Sequence, residues 1–215
     1  MTRALSRMLL AAALFSAACF PTPGARPDDM SADDHRAHAS RHDELATEHA
    51  RQYDPEARAE EHSGTDTNPA LWEVKIYNPT QPHLADAAAH RRHAADHRAA
   101  ADELEAFEEE ECRSFPPETR ALCPLIGAVE RVENVEGGVR MVIADGIRSR
   151  ALADHAQCHR AFARTQGHEG MPDCPLYLDG VSISLQRGAL QLTVEDDRAV
   201  PELRRRAHAH DPGAR

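Results

Sequence analysis

Residues 123–145, CPLIGAVERVENVEGGVRMVIAD, and residues 174–195, CPLYLDGVSISLQRGALQLTVE, share one plan. Each opens with Cys-Pro-Leu at Cys123 or Cys174. In each, a strand leads to a glycine turn, and an alternating run after it ends at Asp145 or Glu195. Val139, Met141 and Ile143 alternate after Gly137-Gly138, and Leu190, Leu192 and Val194 alternate after Gly188. Val181, Ile183 and Leu185 alternate before the second turn, and period-two alternation beside a glycine turn predicts a hairpin with one apolar face in each unit. From cysteine to glycine the spacing is 15 in the first (Cys123 to Gly138) and 14 in the second (Cys174 to Gly188). A helical stretch with a further cysteine, Cys112 or Cys158, precedes each unit. The plan is therefore helix, strand, strand, twice, with a last helix from about Arg198 to His208. A four-stranded antiparallel sheet with helices on one face buries both apolar patterns, so the fold class is α+β.

Upstream, the apolar period changes. Ser31 with Asp34 three residues on reads as a helix start, and that helix runs to about Gln52. Asp54-Pro55 predicts a short second helix to about Glu61. Residues 71–77, LWEVKIY, read as an extended aromatic segment that docks on the later domain. Thr80 is placed as the cap of a long helix from about Gln81 to Cys112, with Pro82 tolerated in its first turn. Glu108 to Glu111 at its C-terminal end oppose the helix dipole and predict a solvated, fraying end or a weak cation site. Residues 147–165 read as the helix of the second unit.

Two helices carry a second repeat. His35-x2-His38-x3-His42 recurs as His90-x2-His93-x3-His97. At about 100° per residue, His35, His38, His42 and His49 share an arc of about 60°, and His83, His90, His93 and His97 one of about 80°. Ala39 and Ala46 lie beside the first group, and Ala87, Ala94 and Ala101 beside the second. Small neighbours would let the two helices approach closely if these faces meet. Histidines four apart can bind one ion together. If the faces do meet, His38, His42, His93 and His97 could surround a metal, with His35 and His90 adjoining. Nitrogen ligands suit Zn²⁺, Cu²⁺ or Ni²⁺, and Asp34, Glu48 and Asp96 could support the imidazoles from behind. The competing readings are polar surface positions in a lysine-poor chain and a pH-responsive surface. Of the 25 basic residues only Lys75 is lysine, and protonating all 14 histidines would carry the formal charge of −11 to a positive value.

Arg3 and Arg7, the apolar run from Met8 to Phe15, and Ser16-Ala17-Ala18 before Cys19 form an export signal. The run is shorter than the ~20 residues a permanent span needs. A cysteine directly after Ser-Ala-Ala resembles the bacterial lipoprotein signal over residues 1–19. The residue three before the cysteine is Ser16, where that family usually has Leu. The resemblance implies that Cys19 becomes the lipidated first residue of a membrane-anchored, periplasmic or cell-surface protein. Residues 20–80 then read as an acidic tether, least ordered over 20–30, with a helical and an extended segment. Residues 81–210 read as the folded domain and 211–215 as a loose tail.

With Cys19 assigned to lipid, four cysteines remain, an even number suited to bridges outside the cytoplasm. If each unit is self-contained, the pairs are Cys112–Cys123 and Cys158–Cys174. The alternative for His155, Cys158, His159, His168 and Cys174 is a sulfur and imidazole site for Zn²⁺ or Cu⁺. The net charge of −11 argues against a nucleic-acid partner. No C-x-x-C, G-x-S-x-G, H-E-x-x-H or phosphate loop occurs, and no catalytic role is expected. The expected function is a non-enzymatic envelope lipoprotein that binds a divalent metal, Zn or Cu, through helical histidines. The alternative is a structural lipoprotein that engages another envelope protein near Trp72.

Overall fold

A computed structural model describes residues 24–63 and 73–214. The expected export signal, Cys19, Leu71 and Trp72 lie outside the described residues. In chain order the elements are α1 (Ala32–Gln52), β1 (Ala59–Ser63), β2 (Glu73–Tyr77), α2 (Gln81–Glu111), α3 (Pro117–Arg120), β3 (Val129–Val135), β4 (Gly138–Ile143), α4 (Ser149–Gln166), β5 (Ser182–Gln186), β6 (Ala189–Thr193) and α5 (Val200–His208). The chain is α+β, with helices first and a four-stranded antiparallel sheet ordered β3-β4-β6-β5. Val139, Met141, Leu190 and Leu192 are fully buried on one face of that sheet. The two helices α4 and α5 cover this face, and Leu203 of α5 and Ala156 of α4 are also fully buried.

The duplication is visible in the pairing itself. Val139 faces Leu192, Met141 faces Leu190, and Arg140 faces Gln191 across β4 and β6. An offset of 51 residues separates Cys123 from Cys174. The same offset carries Val139 onto Leu190, Met141 onto Leu192 and Arg140 onto Gln191. Exchanging the two units therefore leaves the central pairing unchanged, and an approximate twofold axis passes through the Arg140–Gln191 pair. The equivalent turn glycines are Gly137 and Gly188, with φ of 67° and 77°. Aligning them removes the one-residue mismatch found by counting to Gly138.

The structure also corrects the cysteine pairing. Cys112 is bonded to Cys158, with Cα atoms 4.6 Å apart. Cys123 and Cys174 are each other's nearest sulfur neighbours, 3.4 Å apart. Cys123 meets its counterpart at the 51-residue offset, Cys174, whereas the disulfide, at a separation of 46, joins the end of α2 to α4. The expected bridges within each unit, Cys112–Cys123 and Cys158–Cys174, do not form.

The acidic end of α2 is not frayed. Glu108 is 9% exposed and accepts from Arg120 at 2.9 Å. The disulfide pins the C-cap, Cys112. Farther along the α2–α4 contact, Thr165 Oγ1 donates to the Leu104 carbonyl at 3.1 Å.

The N-terminal half holds three further departures. Residues 59–63 form a strand, not the end of a short helix. Pairing of Ala59–Ser63 with Glu73–Tyr77 overrides the local Asp-Pro signal. Among the described residues of the segment expected to dock on the domain, Val74 and Ile76 are 48% and 65% exposed. Thr80 makes no cap to its own helix. Its Oγ1 instead donates to Asn78 Oδ1 at 2.7 Å and accepts from the Asp54 N–H at 3.0 Å, tying the foot of α2 to the end of α1. Ser31 does cap α1, accepting from the Asp34 N–H at 3.2 Å.

The expected boundary at residue 80 falls between α1 and α2, which pack along their length. Before α1, Pro27–Asp29 forms a 3-10 turn, and the Asp28 carboxylate pairs with Arg164. After α5, Asp211 accepts from the Val132 N–H at 3.2 Å.

Candidate metal centre

Helices α1 and α2 run antiparallel and turn their histidine faces toward each other. His35, His42 and His49 recur every seven residues, as do His83, His90 and His97. Seven residues make almost two helical turns, so each series stays on one face with a drift of about 20° per step. In the antiparallel pair the two series interlock as rungs. The Nδ1 atoms of His35 and His97 are 3.0 Å apart. Those of His42 and His90 are 3.0 Å apart, and those of His49 and His83 are 3.1 Å apart.

Alanines between the rungs make this approach feasible. Ala39 and Ala46 are 2% exposed, and Ala87, Ala94 and Ala101 are fully buried. A helix contact of this kind buries little apolar area, so ion pairs on its flanks guide it. Arg36 reaches Glu105 at 2.6 Å and Arg98 reaches Asp43 at 2.7 Å, both exposed. Exposed pairs contribute at most about 1 kcal/mol each.

The middle rung is the best ligand set. His42, His90 and His93 offer nitrogen atoms that all lie within 4.8 Å of one another, and all three are partly buried. The His93 ring stands edge-on to His42 at 5.0 Å between centroids. The lower rung adds a carboxylate: His49, His83 and Asp86 form a second group. The upper rung is the driest. His35 is fully buried, and its Nε2 has no hydrogen-bond partner. His38, exposed, stacks obliquely on His97 at 5.2 Å.

The quartet read from the sequence, His38, His42, His93 and His97, is thus contiguous. The closest nitrogen pairs are nevertheless His35–His97 and His42–His90, across the rungs. His49, His83 and Asp86 were left out of the expected ligand set. The seven-residue spacing that includes His49 and His83 was the signal that could have placed them. Two of the expected supporting acids have other partners. Asp34 accepts from Ser31 at 2.7 Å, and Glu48 accepts from Gln52 at 2.8 Å.

Two nitrogens 3.0 Å apart, each about 2.05 Å from an ion, subtend roughly 94° at it. A tetrahedral angle would need a separation of roughly 3.3 Å. The rung therefore matches the near-right angles of tetragonal Cu²⁺ or Ni²⁺ as it stands, and Zn²⁺ after a small widening. Electrostatics favour the ligand form. Burial, then the neighbouring His93, His90 and His38, hold His42 below the ordinary imidazole range. Burial, then His35, His38 and His42, do the same for His97. Neutral imidazole is the form that binds metal.

The other cysteine and histidine group read from the sequence divides. Cys158 is in the disulfide. His155 stacks on Phe115 at 4.7 Å, and His168 Nδ1 meets the Tyr177 carbonyl at 3.0 Å. His159 and Cys174 remain together, joined by Cys123. Comparison with known protein families, with curated proteins and with solved structures finds no match for this chain.

Proposed function

We propose that this chain is an exported, lipid-anchored envelope protein without catalytic activity that binds a divalent transition metal between α1 and α2. The observation that carries the metal reading is the facing of six imidazoles in three rungs at 3.0–3.1 Å. Side chains from two separate helices converge there, as a chelating site in a bundle requires. Cu²⁺ is the first candidate by intrinsic affinity and by angle, with Ni²⁺ and Zn²⁺ behind it. Anchoring rests on the signal-like residues before Cys19. Among the described residues no helix is long and apolar enough to cross a membrane.

Native mass spectrometry with added Cu²⁺, Ni²⁺ or Zn²⁺ tests the metal reading. Stoichiometric uptake is expected, lower by at least one ion in a His42→Ala/His90→Ala/His93→Ala variant. Equal uptake by that variant would refute this assignment. A second reading, a protein-interaction lipoprotein, draws on the exposed Val74, Ile76 and Tyr77 of the β1–β2 ribbon. It predicts no uptake that depends on His42, His90 and His93, and a partner lost on Ile76→Asp.

A further inference from the structure

Where the two Cys-Pro-Leu turns converge, a second group of metal-binding side chains is assembled from four distant parts of the chain. Cys123 Sγ lies 3.4 Å from Cys174 Sγ and 3.5 Å from His210 Nε2. Cys174 Sγ lies 3.6 Å from His159 Nε2. Cys123 precedes β3, His159 is in α4, Cys174 opens a 3-10 turn, and His210 follows α5. We propose that Cys123, Cys174, His159 and His210 form a closed Cys2His2 site for Zn²⁺, separate from the histidine rungs.

Three observations support it. The first is spacing. Around a tetrahedral zinc with Zn–S of about 2.3 Å and Zn–N of about 2.0 Å, sulfurs stand roughly 3.8 Å apart and sulfur and nitrogen roughly 3.5 Å apart. The three observed separations match, with a small opening of the sulfur pair, and Cys123, His159 and Cys174 already form one group, which His210, touching Cys123 alone, would complete by swinging inward.

The second is orientation. Each histidine already has its far nitrogen committed to a backbone carbonyl. His159 Nδ1 bonds Arg120 O at 2.8 Å, and His210 Nδ1 bonds Arg206 O at 3.1 Å. A proton held on Nδ1 leaves the Nε2 lone pair directed at the sulfurs, which is how ligating histidines are fixed.

The third is the setting of the sulfurs. The backbone of Leu125 lies beside Cys123 and favours its charged form, and the backbones of Leu176 and Tyr177 do the same for Cys174. These groups from the two Cys-Pro-Leu turns stabilise negative charge on sulfur. They are related by the same approximate twofold that places the cysteines together.

A Cys123–Cys174 disulfide is the competing state. It would leave the His159 Nε2, in a fully buried residue, facing a sulfur with no proton to give and no ion to bind. Burial further marks the site as structural. Cys174 is 3% exposed and His159 fully buried, with no open ligand position facing solvent from their side. The ion would tie α5 and the start of β3 to α4 near the twofold axis.

Co²⁺ added to the full chain is the probe. One tetrahedral Co²⁺ with a sulfur-to-metal charge-transfer band is expected. The histidine rungs contain no sulfur and cannot produce that band. It should be lost in Cys123→Ser, weakened at least about tenfold in affinity in His210→Ala, and kept in the His42/His90/His93 triple variant. Since His210 is at the rim, its variant tests the site even if Cys123→Ser fails to fold. Absence of the band in wild type would overturn the proposal. So would a Cys123–Cys174 disulfide in protein isolated with Zn²⁺ present, or alkylation of Cys123 that Zn²⁺ does not slow. Loss of the band together with intact uptake at the rungs would sink this site alone.

Discussion

If metal capture depends on the helices meeting, a change that moves them apart without touching a histidine should abolish it. Ala94→Leu is that change. Ala94 is fully buried between the His42–His90 and His35–His97 rungs. Interaxial distances range over about 8–10 Å with the size of the side chains at the contact. A leucine at this position should therefore push the axes apart locally by as much as ~2 Å. The His42–His90 separation of 3.0 Å would then approach 5 Å, beyond the limit of roughly 4.2 Å at which two nitrogens can share one ion. Affinity for Cu²⁺ should fall by at least about 100-fold, and the overpacking should cost ~1–3 kcal/mol of stability. Calorimetric titration, with circular dichroism to check helix content, would measure both. Ala95→Leu is the control, since Ala95 is exposed on the neighbouring face. If Ala94→Leu bound Cu²⁺ as tightly as the control while remaining helical, chelation across the two helices would be refuted. Histidines on one helix alone would then account for uptake.

Cys112→Ser should destabilise the chain by about 4 kcal/mol in denaturant unfolding, because the bond closes a loop with a sequence separation of 46; a loss below ~1 kcal/mol would contradict its role as a staple. The metal-free protein should lose thermal stability in acid. His42 and His97 have lowered pKa values in the fold, so the unfolded chain binds more protons and stability rises with pH. Their contribution is complete above about 6.5, the unfolded value, and is lost as pH falls through the depressed folded values. A melting temperature that rises on acidification would contradict this sign. Gly138→Ala should be strongly destabilising, because a Cβ there would collide with the backbone carbonyl of Leu192 in the central strand pair; near-neutral unfolding data would show that the β4–β6 register is misplaced.

The sheet was legible because its information is local. Val139, Met141 and Ile143 alternate within one strand, and Gly137 or Gly188 ends the run before it. The histidine faces were legible for the same reason, since periodicity within a helix fixes which residues share a side. What local pattern cannot carry is which element a face meets. Ala59–Ser63 became a strand only because residues 73–77 were there to pair with it. Cys112 found Cys158 because the end of α2 packs against α4, a contact between distant elements that exists only in the folded chain. Glu108 read as part of a solvated acidic run, yet Arg120 draws its carboxylate inward. His210 and Cys123 are separated by 87 positions, and no spacing rule links them. The exclusion of Asp86 shows a different limit. A carboxylate at i+3 from His83 is common on exposed helices, and only the opposed His49 makes it part of a site.

The central claim is that one ion bridges imidazoles from both helices. Anomalous diffraction from crystals grown with Cu²⁺ tests it most directly. The account predicts a peak between α1 and α2 about 2 Å from nitrogens of His42 and His90, with His93 completing the set. Peaks confined to exposed histidines of a single helix, with that gap empty at saturating Cu²⁺, would contradict it.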